Sequence, residues 1–215
     1  MQTRRLIWLT VFALAMAYVE AALVVHLRQL YYADNPLALF PLRLLSHTDL
    51  AIELVREVAT ILMLIAVAVL AERDNGRRFA AFVYLFGVWD LGYYGCLKLL
   101  IDWPQSWVEW DVLFLLPWPW FGPWLTPVAI ASLFTSWGAW MIISEHTPRF
   151  SWLSACLFLG GAILGLAAFL LPAAGLLSGG ERAFQGFVPG QFAWGIFIPG
   201  LVLMAGGLLN AARNQ

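Results

Sequence analysis

Charge is scarce in this chain. Asp, Glu, Lys and Arg together make up 12% of its 215 residues, about half the share found in an ordinary soluble domain. Acids and bases nearly cancel, with a formal net charge of −1. That balance removes any argument for nucleic acid as a partner, which needs a basic patch or stripe. Cysteine is almost missing as well: Cys96 and Cys156 sit inside apolar segments without C-x-x-C spacing. They read as small buried hydrophobes rather than as a disulfide or metal pair. Nor is there a G-x-S-x-G, an H-E-x-x-H or a G-x-x-x-x-G-K-S/T motif, so serine hydrolase, zincin and P-loop chemistry have no support. No internal repeat relates one half of the chain to the other, which counts against a carrier built from duplicated halves.

What fills the space is hydrocarbon. Hydrophobic residues make up 62% of the chain, against about 45–50% for soluble proteins. A bilayer-spanning helix needs about 20 mostly apolar residues, and six segments qualify: 6–28, 50–71, 79–101, 126–144, 151–174 and 191–212. The fold expected is an all-α polytopic transmembrane helix bundle of six spans, forming one integral membrane domain over 1–215. Within it, 1–101 is a charge-bearing three-helix half, 102–127 a Trp-rich outer loop and 128–215 a Gly-rich three-helix half. Arg4, Arg5, Arg73, Arg77, Arg78, Arg149 and Arg213 flank one side, against Arg28, Arg43, Lys98 and Arg182 on the other. By the positive-inside rule both termini are then cytoplasmic. MQTRR, an apolar run and Ala15-Met16-Ala17 have the layout of a signal peptide, but hydrophobicity continues through Leu27, so the segment is read as a retained span.

The few charges are placed in a pattern. An ionisable side chain at mid-membrane costs at least roughly 2.5–3.5 kcal/mol, so it should face protein or water rather than lipid. Asp49, Glu53 and Glu57 recur every four residues on the second span, with Arg56 beside the last, and this spacing keeps the acids near one helix face. With the topology above, Glu20 and Arg28 on the first span and Asp90, Tyr94 and Lys98 on the third reach a similar depth toward the outer side. The loop 103–127 holds six of the twelve tryptophans and five prolines. Trp103, Trp107 and Trp110 lie at helical spacing, which predicts a short interfacial or re-entrant helix over 105–116, placed to cap the polar cluster. Asp111, beside Trp110 and a strongly apolar run, is expected to be buried with a cationic partner. In the Gly-rich half, Gly161 and Gly165 give a GxxxG spacing that lets helices approach closely, either as scaffold or as a face for another membrane protein. Pro172 and Pro199 are expected to kink or end their helices.

Three readings of the cluster stand side by side. The first is an outward-facing site that binds or conducts a small ligand, an ion or a proton through Glu20, Arg28, Glu53, Arg56, Glu57, Asp90, Tyr94, Lys98 and Asp111. The second is an ion-pair network that fixes helix packing in a non-catalytic subunit of a membrane complex. The third is a carboxylate-metal intramembrane enzyme. Against it, the helix-bundle di-iron pattern needs Glu-x-x-His on two helices, and His26 lies six residues from Glu20. No metal ligand set or cofactor is assigned from the sequence. YVEAALVVHLR, the Arg56-Glu57 pair, VWDLGYYGCLK, the following WP and WDVLFLLPWPWFGP together resemble a family of bacterial multi-pass inner-membrane proteins. The resemblance covers about the first 130 residues, implies that location, and brings no activity with it.

Overall fold

The computed structural model describes residues 2–213 and is mostly helical. Among the described residues, six helices are long and apolar enough to cross a membrane: α1 (Gln2–Tyr31), α2 (His47–Ala71), α3 (Asn75–Ile101), α4 (Leu125–Ile143), α5 (Trp152–Leu170) and α6 (Trp194–Arg213). They run up and down, so the start of α1, the end of α6 and the 72–74 and 144–151 turns share one end of the bundle. The longer connections 32–46, 102–124 and 171–193 share the other.

The helix starts are written in the sequence. Ser46 caps α2 by accepting from the Asp49 N–H, Asp74 caps α3 by accepting from Gly76 and Arg77, and Ser151 caps α5 by accepting from Ser154. Each satisfies donors that the first turn leaves without partners. At the opposite end of α5, Pro172 has no N–H to continue the ladder, and the chain tightens into a 3-10 segment over Leu171–Gly179.

α3 is the centre of the bundle, packed between α1 and α4, while α5 and α6 form a separate tight pair. α4 packs on α3 rather than on the α5–α6 pair. The reason is steric: a Cβ at Gly138 of α4 would stand 2.8 Å from the Ala80 carbonyl oxygen of α3. The α5–α6 pair is closed in the same way, since a Cβ at Gly161 would stand 2.6 Å from the Met204 amide nitrogen. Gly161→Val is therefore expected to force the helices apart and to cost about 1–3 kcal/mol as overpacking. Gly160→Val, with open space beyond the glycine, should be nearly neutral. Melting temperatures of the two purified variants test the difference.

The segment between α3 and α4 is a β-hairpin, not the short helix that tryptophan spacing predicts. Strands β1 (Trp110–Phe114) and β2 (Trp120–Pro123) pair antiparallel, with Asp111 opposite Gly122 and Val112 opposite Phe121. Two local causes override the helical period. The Glu109 carboxylate accepts from the Gln105 and Ser106 backbone N–H groups and from the Trp103 indole, which holds 105–109 in a turn. Pro117 and Pro119 then break any helix continuing from 110 and fall at the hairpin bend, where missing N–H groups do least harm. The fold is thus a helix bundle with one two-stranded sheet rather than purely α.

Candidate functional site

α2 determines where the charges go. Its buried face is Glu53, Glu57, Thr60, Leu64 and Ala68, while Val55, Leu62 and Leu70 are exposed on the opposite side. One face is thus polar at the hairpin end and apolar at the other. Asp49, one turn earlier, leaves the group: it accepts from Tyr31 and from Ser46, its own helix cap.

Arg56 ties two helices together. Its guanidinium bonds Glu53 one turn back, with Nε and Nη2 at 2.8 and 2.7 Å from the same carboxylate oxygen, and also pairs with Glu20 of α1. The Thr60 hydroxyl donates to the other Glu20 oxygen at 3.3 Å. Arg56 does not bond its sequence neighbour Glu57, because adjacent residues on a helix do not face each other. Glu57 instead accepts the Leu115 backbone N–H, at 2.9 and 3.1 Å to its two oxygens. That bond fastens the far end of β1 to α2.

A second group holds the other end of β1. Asp111 lies 3.3 Å from the Arg28 guanidinium of α1, accepts the Tyr94 hydroxyl of α3 at 3.1 Å, and accepts the Val112 N–H at 3.0 Å. Arg28 and Asp111 are each only 2% exposed. Burial pushes the Asp111 carboxyl above its ordinary range, opposed by the Arg28 charge, the Tyr94 hydroxyl and the Val112 amide. The Arg28 guanidinium carbon also sits 4.0 Å from the Trp103 ring centroid, a cation–π contact. The expected cationic partner of Asp111 is therefore present, and the hairpin covers the cluster as the predicted cap would have done. In the sequence Trp103 stands out only through its helical spacing with Trp107 and Trp110. No spacing marks it as the floor beneath Arg28.

Lys98 is the expected site residue that does not join. It is separated from the cluster at the end of α3, where it bonds the Asp102 carboxylate at 2.6 Å and the Pro104 carbonyl at 3.0 Å, with its side chain 52% exposed. Its i, i+4 relation to Tyr94 is real. A long lysine stem simply carries the ammonium outward to water.

Two cavities flank the cluster and share Arg56, Glu57, Tyr93 and Asp111 in their walls. The larger, about 370 Å³, lies toward the hairpin end beneath 39–45 and the hairpin bend, and also touches Arg28 and Glu53. The smaller, about 260 Å³, lies deeper, between α3–α4 and the α5–α6 pair. Asp90 borders this inner cavity and makes no hydrogen bond or ion pair to the described residues. Around it stand aromatic side chains from α3, α4, α5 and the hairpin, which no sequence signal had grouped. Among the described residues, no three His, Cys, Asp or Glu side chains converge as metal ligands. Glu20, Glu53 and Glu57 are instead held by a guanidinium and a backbone amide. No protein-family model, no curated protein and no solved structure matches the chain.

Proposed function

We propose that this is a multi-pass protein of the bacterial inner membrane, with cytoplasmic termini and an outward-facing site that binds a small positively charged species: an ion, a proton or a cationic ligand. The observation that carries the reading is Asp90. A network serving only helix packing would pair its buried charges, as Arg28 and Asp111 do, whereas Asp90 borders a cavity without a partner. The balance of charge points the same way. Glu20, Glu53, Glu57, Asp90, Asp111 and Glu181 supply six carboxyl groups to the cluster and its cavities, against three guanidinium groups from Arg28, Arg43 and Arg56. Removing a carboxylate from water without a compensating cation is strongly unfavourable, so added positive charge is what the site lacks.

The test is the response of the folded protein to cations. Acid, sodium, potassium or ammonium ions are each candidates to raise the melting temperature of the purified chain, and Asp90→Asn should flatten whichever response occurs. No cation response in the wild type, or the same response in Asp90→Asn, would overturn the reading.

A further inference from the structure

We infer that the inner cavity is a site for a small organic ammonium ion with an apolar body, with Asp90 as its counter-ion. The inference rests on the cation-binding reading above and specifies its ligand. A bare alkali or divalent ion takes six or more oxygen ligands in a compact shell. Among the described residues, Asp90 is the one carboxylate of the inner cavity without a bonded partner; Glu20, Arg56, Glu57 and Asp111 also border it, each bonded elsewhere, and most of the remaining wall is ring and aliphatic carbon. Its volume is about 260 Å³. That is far more space than a dehydrated ion fills and near the lower end of small-molecule pockets.

The aromatic residues form two walls. On α3 and α4, Phe86 lies 5.4 Å from Trp89 and 6.0 Å from Phe134 between ring centroids. Across from them, Trp120 of the hairpin lies 5.5 Å from Phe114 and stacks on Phe169 of α5 at 5.9 Å. All of them line the same space as Asp90. Aromatic rings attract a cation through their quadrupole, and aromatic cages are how proteins hold alkylated ammonium groups, which shed water easily. A neutral apolar guest would gain from the rings but leave the carboxylate uncompensated. An ammonium with a hydrocarbon body satisfies both.

Gly165 provides an independent handle on the space. It borders the cavity, and a Cβ built on it meets nothing within 4 Å. Gly165→Leu would therefore fill the cavity without altering any charge.

Benzyltrimethylammonium chloride is the probe, and its uncharged carbon isostere neopentylbenzene is the control, both added to the purified full chain in detergent. Tryptophan fluorescence and melting temperature should respond saturably to the ammonium and not to the isostere. Asp90→Asn should weaken binding about tenfold or more, and Gly165→Leu should abolish it while eluting and melting as a folded protein. Equal binding of charged and neutral probes, or undiminished binding in either variant, would overturn the inference. If the ammonium fails while protons or alkali ions still act through Asp90, the ligand class falls and the cation site stands. If neither acts, both fall.

Discussion

Arg56→Met is expected to destabilise the protein by about 3–5 kcal/mol, the usual result of removing one side of a buried ion pair. Arg56 is the cation bonded to Glu53 on its own helix and to Glu20 on α1. Methionine keeps the apolar stem and leaves the buried Glu53 and the part-buried Glu20 uncompensated. The loss should therefore be recovered largely by neutralising them, in the triple variant Glu20→Gln, Glu53→Gln, Arg56→Met. Unfolding in a denaturing detergent or by heat reads both effects. A single variant within about 1 kcal/mol of wild type would mean that Arg56 is not what compensates these acids. α1 and α2 make little direct contact with each other, so this bridge is a main tie between them. The variant should accordingly loosen α2 first, which hydrogen exchange along 47–71 would register.

The second large effect concerns Arg28. Arg28→Met leaves Asp111 buried without its cation and should also cost about 3–5 kcal/mol, with Asp111→Asn restoring most of it in the double variant. The pH dependence has a definite sign. Burial already raises the Asp111 carboxyl, and Arg28 opposes that rise, so removing Arg28 raises it further. A carboxyl whose folded pKa exceeds its unfolded value stabilises the fold while protonated, and this contribution is lost as pH climbs through the folded pKa. The deficit of Arg28→Met should thus be larger at about pH 8 than at about pH 5. A deficit independent of pH would mean that lost packing against Trp103, not the stranded charge, dominates.

The helices are legible because bilayer-length apolar runs are local signals. The four-residue spacing of Glu53 and Glu57 likewise foretold a shared buried face. What the sequence could not reveal was pairing across the bundle. Arg56 sits beside Glu57 in the chain yet bonds Glu53 and Glu20, because helix geometry turns neighbours 100° apart. Tryptophan spacing points away from the hairpin because Trp103, Trp107 and Trp110 share a helical interval for unrelated reasons. The first is fully buried under Arg28, the second is exposed and stacks on Trp124, and the third lies in β1. The inner cavity was invisible because its rings come from helices and loops scattered along the chain.

The β1–β2 hairpin also bears on the order of assembly. Two strands alone are at best marginally stable, and this pair is tied to the bundle by side chains on three helices: Glu57 on α2, Arg28 on α1 and Tyr94 on α3. None of those anchors has its final position until the helices that carry them have come together. The hairpin is therefore expected to dock only once α1, α2 and α3 have assembled, and to be the first element to peel away under stress, opening the bundle from that end while all six helices stay intact.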